Sequence, residues 1–237
     1  AVLAGTLIVV LFITAVLLPS GVGKMKAKPK FTQVFSNTPA INWLSAARFF
    51  LFGARDVWFV VALPVFLSGV LGWEHLQVGA FLAFWVIGYG VVQASAPRLL
   101  KRSHRGDGPG GGTARSWVLV LALLPALIAV LLEQGFAPGP TLVGGLIVFG
   151  VVFAINSAVH SYLILAYADA DRVAMNVGFY YMANAGGRLV GTVMSGLIYQ
   201  IQGLEGCLWW STAFLLAAFV LSLKLPSPAA DQTLARS

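Results

Sequence analysis

The stretch Leu44–Leu67, LSAARFFLFGARDVWFVVALPVFL, decides how the chain is read. It is long enough and apolar enough to cross a bilayer, for which a helix needs about 20 mostly apolar residues. Yet it carries Arg48, Arg55 and Asp56. A charge at the centre of a spanning helix costs about 2.5–3.5 kcal/mol on insertion scales, so such residues mark a pathway or a partner.

Working outward from this span, about 41–67, six more apolar runs are legible: about 1–19, 76–97, 116–133, 141–167, 174–200 and 206–224. Of the 237 residues 59% are hydrophobic and only 10% are charged. Soluble domains carry roughly 25% charged residues, which excludes a soluble domain here. The expected fold is therefore all-α: a polytopic membrane helix bundle, in which a lone helix and a long basic loop before a block of six read as the carboxyl-terminal six-helix half of a twelve-helix carrier with one helix before it. In this reading 1–19 is the last helix of the amino-terminal half and 20–40 a basic central loop. Residues 41–225 are the six-helix domain, and 226–237 a tail. The chain opens on Ala1 with no initiator Met and no basic segment before the first apolar run, so it reads as a fragment whose upstream part is missing.

The formal net charge of +7 does not signal nucleic acid, because the basic residues sit in short loops between apolar runs. Of the 15 Lys and Arg, all but Arg48, Arg55 and Arg188 lie outside the spans. Lys24, Lys26, Lys28 and Lys30 follow the first span. Arg98, Lys101, Arg102, Arg105 and Arg115 follow the third, Arg172 the fifth, and Lys224 and Arg236 the seventh. The alternate loops, near Glu74, Glu133 and Glu205, hold no Lys or Arg. By the positive-inside rule the basic loops and the carboxyl terminus are cytoplasmic. Trp73, Trp209 and Trp210 fall near the opposite ends, where an aromatic belt is expected.

Arg48 and Arg55 are seven residues apart, two helical turns, and so point to one side. At 1.5 Å per residue Arg48 lies roughly 10 Å and Arg55 roughly 20 Å from the cytoplasmic end. Arg188 is also mid-span. Three guanidinium groups favour an anion, because each can grip a phosphate or carboxylate bidentately. The competing reading is that Asp56 neutralises Arg55 or Arg188 as a structural pair, and that Arg48 snorkels to the surface. One carboxylate cannot pair all three.

Other polar residues lie in the spans. Asn156 and His160 share one face at i, i+4, as do Ser157 and Ser161. Tyr180, Asn184 and Arg188 form a polar stripe on the next span. Arg48, Arg55, Arg188, Asn184, Tyr180 and Asn156 are thus the candidate substrate-binding residues. Asp56 and His160 are the candidate proton carriers, His160 because imidazole titrates near neutral pH. The alternative for Asn156 and His160 is a neutral hydrogen-bonded contact between helices. Gly187, Gly191 and Ser195 form a small-xxx-small series suited to close helix packing. Trp85, Tyr89 and Gln93 form an aromatic stripe that is a packing feature or, less simply, a site wall.

No enzyme is indicated. There is no phosphate-binding loop of Walker spacing, no nucleophile–base pair and no His/Cys cluster of metal spacing, so no cofactor and no metal are expected. The single Cys207 excludes an internal disulfide.

Four segments together, KMKAKPKF (24–31), LSAARFFLFGARDVWFVVALPVFL (44–67), FWVIGYGVVQASAPRLL (84–100) and VGFYYMANAGGRLVGTVMSGLIYQ (177–200), resemble the ArsJ-type organoarsenical efflux permeases of the major facilitator superfamily. The likeness runs from the central loop to the last helix, and GARDVWFVVALPVFL and GFYYMANAGGRL are its most specific parts. It implies a twelve-helix carrier of the bacterial inner membrane that exports 1-arseno-3-phosphoglycerate. It also implies a functional link to glyceraldehyde-3-phosphate dehydrogenase, which makes that ester from arsenate, and a coupling proton as in the superfamily. The resemblance provides no set of binding residues. A pentavalent arsenic ester is an oxyanion and calls for arginines, whereas trivalent arsenic would call for several thiolates. The departure from the family is length, since five helices are absent. Two rivals share part of the pattern. One is a carrier of another organic anion, such as a sugar phosphate or drug. The other is a seven-helix receptor or photoreceptor, although none of the lysines is placed mid-span for a retinal Schiff base.

Overall fold

Helices account for nearly all of the computed structural model, which describes residues 2–17, 38–103, 109–168 and 173–226. Most of the basic loop assigned to 20–40, with Lys24, Lys26, Lys28 and Lys30, lies outside the described residues. So do Arg105, Arg172 and the tail with Arg236. The helices are α1 (Val2–Leu17), α2 (Pro39–Phe59), α3 (Ala62–Gly69), α4 (His75–Ser103), α5 (Gly111–Glu133), α6 (Pro138–Tyr167) and α7 (Val173–Ser222). No strand occurs among the described residues. The protein is an all-α, polytopic membrane helix bundle.

Residues 1–34 form one unit and 35–237 another. Within the first, α1 is apolar all round, and its side chains from Ala4 to Leu17 are exposed. Everything that follows concerns the second unit.

Five segments there are long and apolar enough to cross a membrane: Pro39–Gly69, His75–Arg98, Gly111–Glu133, Pro138–Tyr167 and Val173–Ser222. The first is α2 and α3 together. Proline at 64 offers no amide hydrogen to the carbonyl of Val60 and its ring crowds that carbonyl, so the helix breaks at Val60–Val61. The amide of Ala62, freed by the break, donates instead to Ser195 Oγ at 3.1 Å. The interruption is local, since Val60 and Val61 keep right-handed helical backbone angles and the two helices make up one span.

The last segment has 50 residues. A straight helix of that length would run roughly 75 Å at 1.5 Å per residue, far beyond a hydrocarbon core of about 30 Å. Gly203 divides it with φ 71° and ψ −165°, a backbone state that only glycine adopts readily. The limbs 173–202 and 204–222 correspond to the two spans expected at 174–200 and 206–224.

The limbs run in opposite directions. The first lies parallel to α2, with Gly187 against the Phe49 carbonyl and Gly191 against Gly53. The second is antiparallel to α5: the Gly111 amide donates to the Pro226 carbonyl at one end, and Trp209 Nε1 donates to Glu133 Oε1 at 2.8 Å at the other. One end of the bundle gathers Ile41, Ala114, Ile164, Tyr180 and Leu225 in a shared apolar cluster. Tyr167 also donates to the Pro226 carbonyl there. These are the ends flanked by the basic loops. A larger core fills the rest, built on Trp58, Phe149, Phe153 and Leu208. Trp58 meets Phe149 edge-on at 5.2 Å and Phe52 meets Phe153 at 5.1 Å, which joins α2 to α6.

The tightest seam is between α2 and the first limb of α7. A Cβ at Gly187 would fall on the Phe49 carbonyl oxygen, and one at Gly191 would stand 2.5 Å from the Gly53 carbonyl oxygen. The Gly187–Gly191–Ser195 series therefore serves backbone-to-backbone packing, with all three residues buried. Gly196, on the same limb, has nothing within 4 Å of its Cβ position. Gly187→Leu is expected to lower stability by about 1–3 kcal/mol, and Gly196→Leu to leave it nearly unchanged. Thermal unfolding of the detergent-purified protein measures both; equal midpoints would disprove the seam.

Candidate functional site

Two neighbouring polar constellations sit inside the bundle, and they divide the three arginines between them. Seven residues separate Arg48 from Arg55 on α2, but α2 meets different parts of α6 and α7 along its length, so the two find different partners.

The first constellation is an ion triad. Asp56 is fully buried and its carboxylate is shared by two guanidinium groups. Arg55 reaches Oδ1 with Nε and with Nη2, both at 2.6 Å. Arg188, from the first limb of α7, reaches Oδ2 with Nε at 3.0 Å. Two positive charges against one negative leave the triad with a net charge of +1. The Arg55 guanidinium also lies over the rings of Phe52 and Phe153, at 5.1 and 5.4 Å, so both its charge and its faces are occupied. Exposure separates the two arginines: the side chain of Arg55 is 12% exposed and that of Arg188 is 54% exposed. Arg188 spends only Nε on the carboxylate. Its terminal nitrogens carry no hydrogen bond among the described residues.

The second constellation surrounds Arg48, which is 4% exposed and forms no salt bridge among the described residues. Its Nη1 donates to the Ser157 hydroxyl at 3.1 Å and the Ser157 carbonyl at 3.3 Å, and its Nε donates to Asn184 Oδ1 at 3.3 Å. Phe52 lies 4.0 Å from the guanidinium carbon and Tyr180 5.0 Å. Arg48 thereby ties α2 to α6 and α7. It does not reach a surface, so the snorkelling alternative for this residue does not describe the fold.

Of the remaining sequence candidates, Tyr180 and Asn184 contact Arg48, and Asn156 and His160 lie on α6, which meets Arg48 through Ser157. Tyr180 is buried and Asn184 half-buried. Asn156 and His160 are fully buried on α6, and neither the amide of Asn156 nor either ring nitrogen of His160 has a hydrogen-bond partner among the described residues. A buried polar group without a partner costs on the order of 1–3 kcal/mol, so this pair is a place where the fold bears a cost. Ser161 turns back to the Ser157 carbonyl at 2.9 Å.

The aromatic stripe on α4 builds something different. Trp85 and Tyr89 stack at 5.7 Å, and Trp85 Nε1 donates to the Leu146 carbonyl at 2.8 Å, pressing the indole against Gly150 of α6. Between α4 and α6, Phe81, Trp85, Tyr89, Ile147 and Val151 line a cavity of about 360 Å³ that is almost wholly apolar. None of the three arginines lines it. The sequence identified Trp85 and Tyr89 as a stripe, but the cavity also needs Ile147 and Gly150 from α6, which nothing in the sequence pairs with them.

Chemically, the triad is the part able to meet an anion. Arg188 offers two unoccupied terminal nitrogens on a half-exposed side chain, in the fork geometry that matches an oxyanion. Comparison with protein-family models and with curated protein sequences returns no match.

The triad is energetically lopsided. Removing a carboxylate that compensates buried positive charge is strongly destabilising, whereas removing Arg188, which is half exposed and held through one nitrogen, leaves Asp56 its Arg55 partner. Asp56→Ala is expected to destabilise the protein by about 3 kcal/mol, and Arg188→Ala by less than about 1 kcal/mol. Unfolding midpoints in detergent check this; a larger loss for Arg188→Ala would mean that Arg188 holds the bundle together.

Proposed function

We propose that this chain forms the carboxyl-terminal six-helix half, with one preceding helix, of a secondary-active carrier of the major facilitator type that exports an organic anion. The observation that carries the reading is Arg188: a half-exposed guanidinium within a membrane-spanning segment, held by one nitrogen and otherwise open. A cation kept at that depth is costly, and an anionic solute passing through is what such an arrangement suits. Arg55 and Asp56 set its charge and position, and Arg48, with Tyr180, Asn184 and Asn156, forms the polar ground beside it.

The proposed substrate is 1-arseno-3-phosphoglycerate, exported for arsenate detoxification. The resemblance of segments 44–67 and 177–200 to ArsJ-type permeases supports this choice, and so does the arginine chemistry. Arg55, Asp56 and Arg188 all fall within those two segments. The proposal includes a functional link to glyceraldehyde-3-phosphate dehydrogenase as the source of the ester, and a coupling proton carried by Asp56 or His160. The protein is placed in the bacterial inner membrane with the basic helix ends and the carboxyl terminus in the cytoplasm.

Everted membrane vesicles containing the full-length carrier test the substrate. Supplied with the ester formed in situ by glyceraldehyde-3-phosphate dehydrogenase and arsenate, they should accumulate arsenic, and Arg188→Ala should lower the rate by more than about tenfold. Accumulation no greater than in vesicles without the carrier would refute the reading. Uptake of sugar phosphates in preference to the arsenic ester would point to the sister function of the same site. Reporter fusions test the orientation: alkaline phosphatase joined near Glu74, Glu133 or Glu205 should be active, and joined at Arg115 or Lys224 inactive.

A further inference from the structure

We propose that Asp56 is an internal stand-in for the transported anion: its Oδ2 occupies Arg188 in the empty carrier, and an oxyanion of the substrate displaces it. This rests on the anion-carrier reading of Arg188 and adds how the site regulates its grip.

The geometry supports an exchange rather than a fixed bridge. The two oxygens of Asp56 are not held alike. Oδ1 receives two nitrogens of Arg55 at 2.6 Å, from the neighbouring residue on the same helix. Oδ2 receives one nitrogen of Arg188 at 3.0 Å, from a different helix. Asp56 is fully buried and Arg55 nearly so, while the Arg188 side chain is half exposed. If the Arg188 contact is released, the carboxylate keeps a charged partner and does not become an unpaired buried charge, which would be prohibitive. Arg188 in turn needs no large movement to meet a solute, because its side chain is half exposed and its terminal nitrogens carry no hydrogen bond among the described residues. The exchange swaps one oxyanion for another on the same guanidinium.

The functional consequence concerns affinity. A free, desolvated arginine would bind an anionic solute tightly and release it slowly. A carboxylate that competes for the same guanidinium lowers the net gain on binding to a difference between two ion pairs, since a ligand is credited only with its preference over what it replaces. Asp56 then sets how readily the site empties, and because it sits on α2 while Arg188 sits on α7, binding alters a contact between two helices.

The test measures binding apart from transport. The full-length carrier, purified in detergent, is titrated with 3-phosphoglycerate, a stable three-carbon phosphate, by calorimetry. Asp56→Asn keeps the side-chain shape and removes the competing charge, so it should bind the probe about tenfold more tightly while exporting more slowly. Asp56→Glu restores the charge and should return affinity towards that of the wild type. Binding by the wild type with equal or weaker binding by Asp56→Asn overturns the stand-in and leaves the anion reading intact. No binding by the wild type overturns the anion reading itself. A second measurement needs no variant. In wild-type protein carrying isotope-labelled aspartate carboxyl groups, saturating probe should shift one carboxylate stretching band as Oδ2 loses its guanidinium donor. An unchanged infrared spectrum at saturation overturns the exchange even if Asp56→Asn fails to fold.

Discussion

The contact between α2 and the first limb of α7 is the constraint on which the rest of the second unit depends. Glycines at 53, 187 and 191 let the two backbones touch, with carbonyl oxygens where side chains would otherwise stand. This closeness is what allows a carboxylate on one helix to receive a guanidinium from the other at 3.0 Å. With ordinary side chains at the seam the helices would sit farther apart, and Asp56 and Arg188 would face each other across a gap. Packing of the smallest residues thus sets the geometry of the largest charges.

Burial then sorts the polar residues by task. Arg48 is enclosed by two ring faces and donates hydrogen bonds to α6 and α7, so its charge is spent on holding three helices in register. Arg55 is spent on Asp56. Arg188 is the most exposed of the three, and both of its terminal nitrogens are without a hydrogen bond among the described residues. An excess of cation over anion in the membrane interior is costly, and the bundle lowers that cost with aromatic faces and backbone carbonyls rather than with more acids.

Much of this architecture is legible in the sequence, for a physical reason: in lipid a helix must satisfy its own backbone, so apolar length translates almost directly into spans. The runs near 76–97, 116–133 and 141–167 correspond to α4, α5 and α6 within a few residues. Pro64 marks where the hydrogen bonding of the first span of the six is interrupted. The allocation of the arginines is less legible. The seven-residue spacing of Arg48 and Arg55 correctly puts them on one side of a helix, but it is silent on which neighbour each will meet. The sequence offers Asp56 either Arg55 or Arg188 as a partner; that it serves both at once, Arg188 lying 132 positions later, follows only from the glycine seam. Likewise nothing in the α4 stripe tells that Gly150 will receive the Trp85 indole and open an apolar hollow beside it.

The turn at Gly203 carries a mechanical consequence. A single residue in the left-handed region joins the two limbs of α7, with no slack on either side. The limbs cannot slide past one another at that end. The second is moored to α5 by the Trp209–Glu133 hydrogen bond there and by the Gly111–Pro226 contact at the far end. A rocking motion of the limb that bears Arg188 must therefore pivot about Gly203, with its largest sweep at the opposite end, where Tyr180 and Asn176 lie; otherwise it must carry α5 along as one body.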